Sequence, residues 1–164
     1  MWSIIRDMNI DRILAAMNQH DVRYLLIGGV NFLLRHQPVL TFDVDLWVED
    51  SEENRSRCEK ALSELEAEWG RTNEEWGPVS ERASGWLVGQ PVFCMNSPHG
   101  AVDVFFSVSG LDSWDDAYRR CVEGQTAEGT HYRAISDEDM LTCQLALPDA
   151  EQKLDRVNYL RSKQ

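Results

Sequence analysis

Asp43 and Asp45 stand one residue apart in Asp43-Val44-Asp45-Leu46-Trp47-Val48, a run that alternates polar and apolar side chains up to Trp47. Alternation of that kind is the signature of a strand, whose side chains two apart share a face, so the two carboxylates project together with Cα atoms about 7 Å apart. Like charges held that close repel. The pair is tolerable when solvated or when a divalent cation bridges it, and hard oxygen donors are what Mg²⁺ prefers. A third acid, Asp103, lies inside the apolar run Ala101-Val102-Asp103-Val104-Phe105-Phe106, where a carboxylate needs a partner or a function. Upstream, Gly28-Gly29 ends the apolar run Tyr24-Leu25-Leu26-Ile27, and thirteen residues separate the glycines from Asp43. Each feature alone has a plain alternative: a solvated edge strand, a tight turn, an acid paired with an arginine. Taken in order, as strand, double glycine, short helix, strand with two acids, long helix and later strand with one acid, the set points to metal-assisted chemistry.

The remaining pattern says what positions these groups. Ile10, Ile13, Leu14 and Met17 have helical spacing, with Asn9 or Asp11 available as cap. Tyr24–Ile27 reads as a buried strand, Val30–Arg35 as a short helix closed near Gln37 by Pro38, and Asp43–Val48 as a strand. Cys58, Ala61, Leu62, Leu65 and Trp69 predict a helix over Glu49–Trp69. Gly70–Ser84 is polar and turn-rich. Gly85–Met95 and Ala101–Val108 read as an antiparallel pair joined by the turn Asn96–Gly100. Asp112–Val122 reads as a helix, Thr130–Ile135 as a last strand, and Ser136 with Asp139 as a capping box opening a helix through Leu147, stopped by Pro148. Ala150, Leu154, Val157 and Leu160 predict a final helix. The expected fold class is α/β (α+β): a mixed sheet of about four to five strands with helices packed on it, in a single domain over 1–164 with a core of about 10–135 and C-terminal helices over about 136–163.

Composition narrows the function. The 164 residues suit one soluble globular domain, with 43% apolar and 27% charged residues. A net charge of −12 opposes duplex nucleic acid as partner, because phosphate neutralisation requires the opposite excess. No polybasic run or long apolar stretch supports a membrane role, and Arg6 and Asp7 interrupt the place where a signal peptide would be apolar, so the chain reads as cytoplasmic. Cys58, Cys94, Cys121 and Cys143 are far apart without C-x-x-C, which argues against a disulfide framework or a zinc site and makes buried thiols the default. The four histidines lack ligand spacing and read as structural or surface groups.

Gly28-Gly29, the thirteen-residue gap, Asp43-Val44-Asp45-Leu46 and Val102-Asp103-Val104 together resemble the signature of the DNA polymerase beta-type nucleotidyltransferase superfamily. By length and order the chain is similar to its minimal single-domain members, which include aminoglycoside- and lincosamide-modifying enzymes and the nucleotidyltransferases of toxin–antitoxin pairs. Thr41 occupies a place where small members often have Ser or Thr, and Tyr132–Leu160 resembles their closing strand and C-terminal helices. The resemblance implies catalytic and metal-binding roles for Asp43, Asp45 and Asp103, nucleotide contacts at Gly28, Gly29 and Thr41, and a two-metal Mg²⁺ site. Three positions depart from the pattern: Pro38-Val39-Leu40 lacks the usual Arg, Asn31 replaces a small apolar residue, and Gln144 stands where Lys is common. Lys153 falls near a Lys-Asp of the last helices, and it equally suits a solvated helix position.

The function expected is transfer of a nucleoside monophosphate from a nucleoside triphosphate to a hydroxyl on a small molecule or protein. The alternative is a catalytically inactive binding module or antitoxin-like partner of the same fold. A metal-dependent phosphohydrolase ranks behind both, since no histidine accompanies the acids. Trp47 shares the acid face and either stacks on a base or simply packs.

Overall fold

The computed structural model describes residues 8–164, and Arg6 and Asp7 lie outside them. Asn9 caps the first helix, α1 (Ile10–Gln19), by accepting the Arg12 N–H at 3.0 Å. The chain continues through β1 (Tyr24–Ile27), α2 (Gly28–Arg35), β2 (Asp43–Val48) and α3 (Glu52–Glu64), the last capped by Ser51. Two short strands follow, β3 (Glu68–Trp69) and β4 (Gly77–Pro78), and then the hairpin β5 (Val92–Met95) and β6 (Ala101–Phe105). The C-terminal part is α4 (Trp114–Arg119), β7 (Val122–Gln125), β8 (His131–Ala134), α5 (Asp137–Leu145) and α6 (Leu154–Ser162).

Six strands form one mixed sheet in the order β5-β6-β2-β1-β8-β7, and β3 and β4 pair separately. β1 runs antiparallel to β2, while β2 and β6 are parallel neighbours. The pleat divides the core into two layers. Leu26, Val44, Leu46, Val102 and Val104 face α1 and α3, meeting Ile13, Met17, Ala61 and Leu62. Leu25, Ile27 and Trp47 face the other way, under Trp114 of α4, Met140 and Leu141 of α5, and Val157 and Leu160 of α6. Asp43, Asp45 and Asp103 alternate with residues of the first layer and so lie on the second face. Burying two apolar layers, at about 25 cal/mol per Å² removed from water, is what fixes the strand register.

The sheet has six strands where four to five are expected, because the predicted helix over Asp112–Val122 is shorter than its pattern. Only Trp114–Arg119 is helical, and Val122 opens the edge strand β7. Gly124 hides that strand in the sequence, yet it is required there: a Cβ would come within 2.5 Å of the Tyr132 hydroxyl on β8. The helix predicted through Trp69 stops at Glu64, where Glu66 takes a left-handed backbone (φ 58) and turns the chain so that Trp69 enters β3. Leu65 and Trp69 are buried either way, so their spacing fits both outcomes. Of Gly85–Met95 only Val92–Met95 is a strand; the Glu59 carboxylate instead fixes the preceding loop by accepting the N–H groups of Gly85 and Leu87. Ser136 caps α5 as predicted, but Asp139 does not complete the box: its buried carboxylate takes a two-point bond from Arg120, both contacts 3.1 Å.

Candidate active site

Parallel pairing of β2 with β6 sets Asp45 beside Asp103, and Asp43 two residues earlier beside Ala101. On its other side Asp45 pairs with Ile27, the last residue before Gly28-Gly29. One carboxylate oxygen from each of Asp43, Asp45 and Asp103 lies within 4.8 Å of the others. The three acids named by the sequence are therefore brought together, next to the glycine turn.

Helix α2 begins at Gly28 itself, two residues earlier than its apolar pattern predicts, and no side chain caps its N-terminus. Its first N–H groups are left free to meet an anion, and the helix dipole favours one there. Both glycines are steric requirements. Gly28 has φ +70, and a Cβ on it would collide with the Asp45 carboxylate. A Cβ on Gly29 would come within 2.7 Å of the Thr41 hydroxyl and 3.3 Å of the Arg156 guanidinium. Thr41 thus sits against the turn, with its hydroxyl donating to the Asp43 carbonyl at 3.3 Å.

The acids are electrostatically strained. Burial, reinforced by the charges of Asp43 and Asp103, pushes the Asp45 carboxyl up to about 8, with Arg156 pulling the other way. Burial and the Asp43 charge push Asp103 up to about 6, against hydrogen bonds from Asp45 and Cys94. Asp45 Oδ1 is fully buried without a hydrogen-bond partner. Three carboxylates with hard oxygen donors, one of them carrying an unpartnered buried oxygen, fit a divalent cation of the Mg²⁺ type, which would replace mutual repulsion with attraction.

Asp43 and Asp45 border a cleft of about 1010 Å³, which Gly28, Gly29, Thr41 and Arg156 also line. Arg156, on the first turn of α6, is the group the sequence reading missed. It is half-buried, burial holds its pKa below the usual arginine value, and among the described residues it forms no ion pair within 4 Å. Its sequence signal is weak, because helical spacing marks Val157 and Leu160 as inward and says nothing about a neighbouring cation. Lys153 is the exposed N-cap of α6 and lies on the cleft rim, where it suits both of its sequence readings. Gln144 accepts the Lys153 N–H at 2.8 Å and so fixes the start of α6. Asn31 is fully buried and ties α2 to the end of β8 through the Ile135 carbonyl. Two of the departures from the family pattern are therefore structural ties.

Cys94 lies opposite Asp103 across the β5–β6 pair and is exposed, so the default of buried thiols is corrected at that position. Cys58 is buried, whereas Cys121 and Cys143 are half-buried; all four are free. The hairpin register across Asn96–Gly100 is the signal that could have placed Cys94 beside the acids. Trp47 packs: it is 2% exposed, beneath Trp114, whose indole N–H donates to the Trp47 carbonyl at 3.0 Å. Another cavity, of about 540 Å³, lies near Arg23 and Arg133, but these arginines are spent on Glu49 and Glu123 and no acid cluster borders it. Among the described residues no helix is long and apolar enough to cross a membrane.

No known protein family's sequence profile matches the chain. No curated protein matches it in sequence either. Solved structures do match. ANT(2'')-Ia in complex with adenylyl-2''-tobramycin superposes with a TM-score of 0.60 at 15% identity, covering 99% of this chain and 90% of that one. The solution structure of the antibiotic-resistance factor ANT(2'')-Ia gives 0.56 at 17% identity, over 93% and 78% of the two chains. A protein of Thermotoga maritima assigned as a nucleotidyltransferase gives 0.53 at 16% identity, over 93% and 86%. Identities this low carry the architecture and no more, and the architecture agrees with the one implied by the glycine turn and the acid pair: the chain has the nucleotidyltransferase fold.

Proposed function

We propose that this chain is a Mg²⁺-dependent nucleotidyltransferase that moves a nucleoside monophosphate from a nucleoside triphosphate to a hydroxyl of a small molecule or protein, acting in the cytoplasm. The observation that carries the reading is the meeting of Asp43, Asp45 and Asp103 within 4.8 Å, beside the uncapped N-terminus of α2. The likeness to a structure holding adenylyl-2''-tobramycin supports a nucleotide donor and a small-molecule acceptor.

In this reading Asp43, Asp45 and Asp103 would together hold the Mg²⁺ of a two-metal site. Bound there, the metal would supply charge neutralisation at the triphosphate and acidity at the acceptor hydroxyl. The first N–H groups of α2 and the Arg156 guanidinium bind phosphate oxygens, supplying cationic contacts that Pro38-Val39-Leu40 cannot. Asp103 takes the hydroxyl proton as the acceptor oxygen bonds to the α-phosphorus, and the bond from that phosphorus to the bridging oxygen of pyrophosphate breaks. Thr41 holds the approach of β2 against the glycine turn.

Thermal melts test the reading. Mg²⁺ and a nucleoside triphosphate together should raise the melting temperature, and Asp43→Ala should remove that rise while leaving a cooperative transition. Pyrophosphate release in the presence of an acceptor pool tests turnover. No rise with any triphosphate at millimolar Mg²⁺ or Mn²⁺ refutes the proposal.

A further inference from the structure

The acid row continues into a second cavity on the same sheet face. In register, Cys94, Asp103, Asp45 and Ile27 form one row across β5, β6, β2 and β1, and Val92, Phe105, Trp47 and Leu25 form the next. A cavity of about 360 Å³ opens over Ile27, Phe105 and Val92, one row from the acids. Val108 and Leu147 border it, and Ser107, Ser109 and Gln144 are its hydrogen-bonding side chains. No charged side chain lines it. Gln144 also borders the larger cleft, so the two spaces adjoin there, and the sheet register sets Ile27 beside Asp45 and Phe105 two residues along from Asp103 on the same face.

The larger cleft already contains what a nucleoside triphosphate needs. The glycine turn and Arg156 suit the phosphates, and Leu40, Phe42 and Leu154, exposed to 59%, 44% and 63%, offer apolar surface on its rim for a base. The smaller cavity is thereby left to the second substrate. Its volume is at the low end of small-molecule sites, which span roughly 300–1,000 Å³. Its lining decides the chemistry. A polyamine seated there would lose water from its ammonium groups with no carboxylate in the lining to replace it, a cost of several kcal/mol per unpaired ion. The chain's net charge of −12 attracts cations at long range but does not alter this lining.

Resting on the transferase reading, we infer that the acceptor is an uncharged, hydroxyl-bearing small molecule with an apolar body, which seats on Ile27, Val92 and Phe105 and presents its hydroxyl to Asp103. The acceptor class therefore differs from the polycationic one seen in the similar complex.

The test uses the full chain with Mg²⁺, the four ribonucleoside triphosphates, and octyl β-glucoside, phenyl β-glucoside and tobramycin as probes, read by mass spectrometry of the nucleotidylated product and by isothermal titration. Both glucosides should bind and be modified at least ten-fold more efficiently than tobramycin. Leu147→Glu and Val108→Asp should each raise the glucoside KM at least ten-fold and leave triphosphate affinity within two-fold. Both positions are only partly buried, and circular dichroism checks each fold; Leu147→Gln and Val108→Thr serve if a charged variant unfolds. Preference for tobramycin, or failure of both glucosides to bind a protein that binds Mg²⁺ and triphosphate, overturns the inference and leaves the transferase reading standing. Weakened triphosphate binding in the variants assigns the cavity to the base and also overturns it. Absence of triphosphate binding altogether removes both.

Discussion

Asp45→Asn isolates the cost of holding the acids together. In the folded chain Asp45 titrates at about 8 against an ordinary 3.8, so the metal-free fold takes up a proton that the unfolded chain has released over that range. The sign follows from linkage: the folded state is favoured below pH 4 and loses stability as pH rises toward 8, after which the dependence flattens. Between 3.8 and 8 lie about four pH units at roughly 1.4 kcal/mol each, which sets a ceiling of about 6 kcal/mol at pH 8. Coupling to Asp43 and Asp103, and relaxation around a site that is still partly open, bring the expected gain for a neutral amide down to roughly 1–3 kcal/mol at pH 8. For a chain of this size that is a rise of roughly 2–10 °C. Thermal melts of both proteins from pH 4.5 to 8.5 in EDTA give the difference directly: near zero at the acid end, growing as pH rises. Added Mg²⁺ should close the gap by stabilising the wild type more than the variant. A variant less stable than the wild type at pH 8, or a difference independent of pH, refutes the claim that these carboxylates repel one another inside the fold.

Gly28→Ala should lose Mg²⁺–triphosphate binding and destabilise by about 1–3 kcal/mol, since the added methyl meets the Asp45 carboxylate at a left-handed φ; melts and titration calorimetry check both parts. Arg156→Ala should weaken triphosphate affinity about ten-fold or more, Arg156→Lys should restore part of it, and equal affinities in all three proteins would remove Arg156 from the site. Glu59→Ala, remote from the acids, should cost about 2–4 kcal/mol by leaving the Gly85 and Leu87 N–H groups without their acceptor, with faster amide exchange over 82–91 and no change in triphosphate affinity.

What the sequence discloses is what periodicity and turn chemistry encode locally. Strands β1, β2 and β6 are legible because alternation or a bounded apolar run marks them, and the Asn9 and Ser136 caps mark helix starts. Strand β7 is not, because its Gly124 leaves room for the Tyr132 ring on a neighbouring strand, a tertiary constraint with no local trace. The early end of α3 is equally hidden: a left-handed Glu66 terminates it, and neither glycine nor proline announces the turn.

The site divides along the same line. The three acids are readable because an acid between apolar neighbours on a strand is costly, and cost implies use. Their distances follow from the parallel register of β2 with β6, which no local pattern supplies, although the alternating phases of the two strands already require Asp45 and Asp103 to share a face if the strands pair at all. Arg156 lies beyond even that inference. It comes from the last helix, more than fifty residues after Asp103 in sequence, and reaches Gly29 only because Val157 and Leu160 bury themselves against the sheet. Pro38-Val39-Leu40 therefore offers no cation beside Thr41, yet the fold brings one to the glycine turn from another element. Balancing charge at a phosphate site of the kind proposed requires a cation at a place in space, and the fold is free to draw it from anywhere in the chain that packing carries there.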